Sequence, residues 1–443
     1  MATGIPQKDR SASNLGVNLV YEGKKSEDEI LNGDFVQYKT VYSPSSDKRL
    51  YFGDSLDVLR LLASEPEICG NVDLIYIDPP FATQSHFLSR KQSKAYEDTL
   101  TGAAFVEFLR DRILLLHKLL SNTGSIYLHL DEKMVFEMKL IMDEIFGSSN
   151  YRNLIVRKKC NPKNYTRKTY GNIADFILFY TKSERYTWNK QTVPLSENGK
   201  KEYQYIEKET GRKFMKVPIH APGVRNGETG KPWRGKMPPP GKHWQYPPAT
   251  LDEMDARGEI FWSKNGNPRR KVYLDEHPGV AVQDIWLEFR DAHNQNIKIT
   301  GYPTEKNPDL LRRIIAASSN PGDLVLDCFA GSGTTLAVAD EMGRNWIGVD
   351  NSMEALKTIL NRFEHGVKPM GDFVEKTSLS QNDGYIQKTL FDSVDLDESP
   401  AENCLASWHP TITDFSIFLP DRSLPEAEKV VENWKDRKIE KTD

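Results

Sequence analysis

Two short stretches hold residue types whose spacing could do chemistry, and each follows a strand-like run. In VDLIYIDPPF, an apolar and β-branched run from Val72 to Ile77 ends in Asp78-Pro79-Pro80-Phe81. Two prolines fix the backbone, so the Asp78 carboxylate and the Pro79 carbonyl form a preorganised pair of hydrogen-bond acceptors. An exocyclic amine of a nucleobase needs such a pair. Its lone pair is delocalised into the ring, and two acceptors on its N–H groups favour the pyramidal form that can attack a methyl donor. Phe81 offers a flat face on which a base drawn out of its helix can stack. A lone D-P-P is more often just a stopped strand. The second stretch changes that balance.

About 250 residues later, LVLDCFAGSGTTLAVA leads from a strand through Asp327-Cys328-Phe329-Ala330-Gly331-Ser332-Gly333 into a helix starting near Thr334. Glycines let the backbone approach a ligand, and a helix N-terminus favours a negative group such as a carboxylate. The next strand ends in Asp350, 19 residues past Gly331, where a carboxylate commonly grips ribose hydroxyls. The lysine of a phosphate-binding loop is absent, as is the third glycine of the dinucleotide fingerprint. An adenosine ligand bearing a carboxylate fits better, and S-adenosylmethionine is such a ligand.

The elements that must position these groups can be read from periodicity. From Tyr51 to about Gly147 short strands alternate with amphipathic helices, as in RLYFGDSLDVLRLLAS and AAFVEFLRDRILLLHKLL, the latter expected to stop at Asn122-Thr123-Gly124. That alternation indicates an α/β chain with a parallel, doubly wound sheet. NLIVRKK and DFILFYTK read as two further strands, antiparallel to each other. Between about Trp188 and Gln295 long apolar periods give way to Pro, Gly, Lys, Arg, Trp and Tyr. NPDLLRRIIAASS restores the helical pattern, and the glycine loop and NWIGVD then complete a βαβ unit. Residues 1–47 read as a flexible arm, and the chain beyond Gly366 as an acidic tail of low apolar density.

Asp-Pro-Pro-aromatic together with D-x-F-x-G-S-G-T-T resembles the amino-directed DNA methyltransferases, which act on adenine N6 or cytosine N4. Gly53-Asp54 is similar to the family turn whose acidic residue contacts the cofactor adenine, and GYPTEKNPDLL to the segment that helps enclose the methionine part. The order (catalytic motif, variable region, cofactor loop) resembles the β-type circular arrangement. The resemblance implies a Rossmann-like methyltransferase fold with Asp78 and the Gly331 loop on adjacent strands. Its divisions would be 1–47 (arm), 48–187 (catalytic half), 188–294 (target-recognition insertion), 295–366 (cofactor half) and 367–443 (tail). It further implies Asp78, Pro79, Pro80 and Phe81 as catalytic residues. Asp54, Lys306, Asp327, Phe329, Gly331, Ser332, Gly333, Thr334, Thr335 and Asp350 would hold S-adenosylmethionine, with no metal. The chain departs from the family pattern at Cys328, where proline is usual, and at Asn307, inserted into T-x-K-P. Asp rather than Ser before Pro-Pro favours adenine N6. Cytosine N4 is the alternative, with an RNA base, a protein glutamine or a non-catalytic DNA-binding module as more distant ones.

The net charge of −4 over 443 residues hides a segregation. Residues 151–250 hold 21 Lys+Arg against 7 Asp+Glu, and residues 371–443 hold 8 against 16. The basic stretch is expected to grip double-stranded DNA, since Lys and Arg displace counterions from phosphates. The candidates are Arg157, Lys158, Lys159, Lys163, Arg167 and Lys168 in RKKCNPKNYTRK, and Lys231, Arg234 and Lys236 in KPWRGK. Trp233, Trp244 and Trp262 could stack on DNA or form a small core. His129 is expected to be packed in its strand. Further candidate partners are a second copy of the chain and a cognate restriction endonuclease. No apolar run is long enough for a membrane span, no signal-peptide pattern opens the chain, and four cysteines lack paired spacing. These features lead to the expectation of a cytoplasmic protein.

Overall fold

The computed structural model describes residues 17–44, 47–80, 86–88, 94–97, 102–161, 168–291, 298–300, 302, 305–369, 412–422 and 424–439. Ten strands form the main sheet: β1 (Tyr38–Tyr42), β2 (Arg49–Phe52), β3 (Val72–Ile77), β4 (Leu120–Leu130), β5 (Tyr151–Lys158), β6 (Ala174–Thr181), β7 (Ile285–Trp286), β8 (Leu324–Asp327), β9 (Asn345–Asp350) and β10 (Ser416–Pro420). Their spatial order is β1-β10-β2-β9-β8-β3-β4-β6-β5-β7. The run β10-β2-β9-β8-β3-β4 is parallel, and β6 is antiparallel to both β4 and β5. Strand order therefore reverses relative to sequence around β8 and β3, the carboxyl-end position where open α/β sheets bind ligands.

The sheet is covered on both faces, as parallel strands require. Ile126, Leu128 and Leu130 share a core with side chains of the helices Ser55–Ser64, Gly102–Leu119 and Val135–Phe146. Tyr127, of opposite parity, meets the helix Pro308–Ser318 through a 2.7 Å hydrogen bond between its hydroxyl and Ser318 Oγ. The helix expected to stop at Asn122-Thr123-Gly124 ends at Leu119, and β4 starts at once, with a register shift against β3 between Val72 and Leu74. Gly124 makes this junction possible, because a Cβ there would lie 2.9 Å from the Val72 carbonyl oxygen. Among the described residues no helix is long and apolar enough to cross a membrane.

Both chain ends depart from expectation. In the arm, Lys24 and Lys25 form ion pairs with Glu144 and Asp111 at 2.7 and 2.6 Å. Tyr38 of β1 then closes over Gly53, where a Cβ would lie 2.1 Å from its hydroxyl oxygen. The acidic tail is not wholly solvated, because β10 inserts between β1 and β2. The helix Pro425–Ile439 follows and buries Trp434 against Tyr42 and Phe415, at ring-centroid distances of 5.1 and 5.6 Å. Among the described residues this helix buries only Ala427, Val431 and Trp434, at helical spacing, so the low apolar density of the tail conceals it.

Thr192–Val282 belongs to a second compact unit. It contains a four-stranded antiparallel sheet of Tyr205–Ile206, Lys213–Pro218, Pro268–Tyr273 and Ile260–Trp262, in that spatial order. Its core is Ile219, Trp233, Trp244, Leu251, Met254 and Ile260, with Trp262 packed against it. Of the two roles open to the tryptophans, the structure shows the core one. The indoles of Trp233 and Trp262 donate to Asp252 and Asp255 at 2.9 and 2.8 Å.

Candidate functional site

Parallel pairing aligns Leu326 of β8 with Ile75 of β3 and with Ile347 of β9. The ends of three strands therefore converge, and Asp78, Asp327 and Asp350 leave the sheet on one side of it. The loop after β8 turns through Gly331 and Gly333, whose φ angles of +52° and +74° lie in the left-handed region that favours glycine. Asp350 ties this loop down. Its carboxylate accepts from Gly331 N–H at 2.8 Å and from Ser352 N–H at 2.8 Å.

These groups line a cavity of about 1010 Å³, measured with its open mouth. Asp54, Asp78, Pro79, Pro80, Lys306, Asp327, Phe329, Gly331, Ser332, Thr334, Thr335 and Asp350 all face it. Gly333 does not; it caps the helix Thr334–Glu341 from behind, and a Cβ there would lie 2.9 Å from Ile359 Cγ1. Phe81 falls outside the described residues.

Burial dominates the electrostatics. It pushes the Asp327 carboxyl up to about 7, against the Thr335 hydroxyl and the Phe329 N–H, with the Asp78 and Asp350 charges adding to the rise. Burial also pushes Asp350 up to about 6, opposed by the N–H groups of Ser352, Gly331 and Asn351. Two carboxylates that are costly to ionise in the free protein suit a ligand that brings hydrogen-bond donors or positive charge. Asp54, the N-cap of its helix, accepts from Leu56 N–H at 2.7 Å and from Arg112 at 3.0 Å. Arg112 also donates to Ser55 Oγ at 2.6 Å and lies 3.7 Å over the Phe108 ring.

Asp78 has two unlike oxygens. Its Oδ2 pairs with Lys306 Nζ at 2.8 Å. Its Oδ1 is shielded from solvent and has no hydrogen-bond partner among the described residues. His129 Nδ1 lies 3.9 Å from that atom, beyond hydrogen-bonding range, and meets the Tyr76 hydroxyl at 2.8 Å instead. A buried acceptor without a donor is costly in a folded protein.

The two departures from the family pattern have local explanations. Asn307 is the N-cap of the helix Pro308–Ser318, accepting from Asp309 N–H at 2.9 Å, with Pro308 in the first turn. Cys328 is 1% exposed and packs into the main core, and burial pushes its thiol well above the ordinary range.

Residues 72–361 match the family described as DNA methylase, of N6 and N4 methyltransferases. The chain belongs to that family. It is 46% identical over 376 residues to the type II methyltransferase M.EcaI of Enterobacter cloacae, covering 82% of this chain and 81% of that protein. It is 28% identical over 319 residues to the DNA adenine methyltransferase YhdJ of Escherichia coli K12, covering 72% and 83%. Identity to the StyLTI Mod subunit, a type III restriction-modification protein of Salmonella typhimurium, is 27% over 340 residues, with 68% and 51% covered.

The expected DNA contacts of this methylase divide sharply. Arg157 is a correction, because it is fully buried. It donates to the Phe289 carbonyl at 2.7 Å and pairs with Asp175 at 3.2 Å and Asp291 at 2.5 Å. Its parity in β5 matches that of buried Ile155, so it points inward although the residues around it are basic. Lys159 pairs with Asp175 at 2.9 Å. Lys158 is half-buried and Lys168 exposed, while Lys163 and Arg167 fall outside the described residues. KPWRGK forms a tight turn, with Arg234 and Gly235 at φ +47° and +75°. Arg234 pairs with Asp252 at 3.1 Å and with Asp255, Lys231 pairs with Glu228, and Lys236 donates to the Asn265 carbonyl at 3.4 Å.

Sequence reasoning missed Tyr76, Phe108, Arg112, Tyr302 and Ser352 at the cavity wall, and the placement of His129 behind Asp78. Burial lowers the His129 imidazole, helped by Lys306. Burial alone would raise Asp175, but His129, Lys306 and Lys159 outweigh it and hold that carboxyl below the usual range. No periodic signal distinguishes His129, because β4 is buried on both faces.

Proposed function

We propose that this DNA methylase transfers a methyl group from S-adenosylmethionine to adenine N6 of a base drawn out of double-stranded DNA. The observation that carries the reading is the Asp78 carboxylate, which lines the same cavity as the Gly331 loop and has one oxygen without a hydrogen-bond partner among the described residues. S-adenosylmethionine, the cofactor of the family, supplies an electrophilic methyl group when bound. The cavity suits it chemically: in this reading Asp350 takes the ribose hydroxyls and Asp54 the adenine amine. The N-terminal turn of the helix Thr334–Glu341 and the hydroxyls of Ser332, Thr334 and Thr335 take the methionine carboxylate.

The chain's own residues then act on the amine. The Asp78 carboxylate accepts one N–H and the Pro79 carbonyl the other, which favours the pyramidal nitrogen and fixes its line of attack. A base ring has Pro80 and Phe81 as its nearest flat partners in the sequence. The proton lost from the nitrogen passes first to the Asp78 carboxylate. Adenine is favoured over cytosine by Asp before Pro-Pro and by the relative named as a DNA adenine methyltransferase. The type II and type III relatives support a role in restriction and modification beside a cognate endonuclease. DNA contact is assigned to Lys158 and Lys168 and to the second unit.

Expression in a bacterial host lacking DNA methylation, followed by mass analysis of its nucleosides, tests the reading. N6-methyladenine is the expected product. N4-methylcytosine alone, or unmodified DNA from a cofactor-binding protein, would overturn it.

A further inference from the structure

We infer that Lys306 is a positioning residue for methyl transfer: by holding Oδ2 of Asp78 it fixes the orientation of the carboxylate that takes the target amine. The inference rests on the proposed role of Asp78 as the amine acceptor. The resemblance places Lys306 among cofactor-holding residues, but its ammonium is 2.8 Å from Asp78 Oδ2, and the residue is only 7% exposed. A carboxylate held at one oxygen cannot spin about its Cβ–Cγ bond, and the other oxygen then keeps one direction.

The backbone on either side of Lys306 is clamped. Glu305 forms a buried ion pair with Arg362 and accepts from Thr300 Oγ1 at 2.7 Å. Asn307 caps the following helix through Asp309 N–H and donates to the Arg290 carbonyl at 3.3 Å. Lys306 thus emerges from a fixed point just ahead of a helix, and the extra asparagine supplies the cap that starts that helix. His129 does not compete for the same carboxylate, because its Nδ1 is engaged by Tyr76. A buried Lys–Asp pair adds little net stability, since desolvation of both ions offsets their attraction. Orientation of the carboxylate accounts for placing one here.

The test uses the full-length protein with Lys306→Met, Lys306→Gln and Lys306→Arg variants. Single-turnover methylation of saturating substrate DNA gives the rate, titration calorimetry gives the cofactor Kd, and circular dichroism checks folding. The neutral variants are expected to lose at least about 30-fold in rate, as misplacement of a reacting group does, with the cofactor Kd within about 3-fold of wild type. Lys306→Arg is expected to recover a substantial part of that rate. A rate within about 3-fold of wild type, or a loss that tracks a weakened cofactor Kd, overturns the inference. So does failure of both neutral variants to fold, which would make Lys306 a folding residue. A wild-type protein that binds cofactor without methylating DNA, or an Asp78→Ala variant at full rate, would instead defeat the reading of Asp78 itself.

Discussion

Arg157→Met separates a buried structural cation from a DNA contact, the two roles that a basic stretch allows. Arg157 is 0% exposed and makes three interactions, with the Phe289 carbonyl, Asp175 and Asp291. Its removal leaves Asp175, itself buried, to Lys159 and His129, and leaves one carbonyl without its donor. Breaking a buried, hydrogen-bonded pair from one side costs about 3–5 kcal/mol. For a domain of this size each kcal/mol lowers the melting temperature by roughly 2–4 °C. The expected fall is therefore roughly 6–20 °C by scanning calorimetry or circular dichroism. Because the guanidinium faces away from solvent, the slope of log affinity for DNA against log salt should stay unchanged. A melting temperature within about 2 °C of wild type, with a salt slope reduced by about 0.9, would refute the reasoning and restore Arg157 as a phosphate contact.

Three further outcomes follow from the buried carboxylates and the glycine loop. Cofactor affinity should fall as pH drops through about 6, where the Asp350 carboxyl takes up a proton and can no longer accept from both ribose hydroxyls. Calorimetric titration from pH 8 to 5 checks this, and Asp350→Asn should weaken binding and flatten the profile. In the free protein the linkage has the opposite sign. Asp327 and Asp350 are raised on folding to about 7 and 6, so the folded state binds more protons between the unfolded value near 4 and those values. Their contribution favours folding as pH falls through that window. Gly333→Ala should cost about 1–3 kcal/mol in denaturant titration, because the residue sits at φ +74° and its new Cβ would press on Ile359. An unchanged midpoint would show that the loop is not held in this conformation.

The Asp78 turn, the Gly331 loop, their adjacency and most of the parallel sheet are legible in the sequence, because each depends on local pattern. Val72–Ile77 is an apolar run buried everywhere but at Asp73, and Gly331 and Gly333 sit where the loop needs positive φ. What escaped depended on partners distant in sequence. Ser416–Pro420 is only five residues long and becomes a strand because β1 and β2 flank it. Arg112 reads as part of a charged helix face, yet it is buried beneath Asp54 and Ser55. Arg157 could have been found by parity with Ile155, but the surrounding run of lysines outweighed that signal. Lys306 was singled out for the cofactor, and only the folded chain takes its ammonium to Asp78.

The central claim is that Asp78 acts on the target amine and not on the cofactor. Single-turnover methylation by Asp78→Ala, measured beside calorimetric cofactor binding, tests it most directly. The account predicts a rate lower by roughly 10²–10³, as for loss of one preorganised group at the reacting centre, with the cofactor Kd within about 3-fold of wild type. N6-methyladenine formed at the wild-type rate by that variant would contradict it.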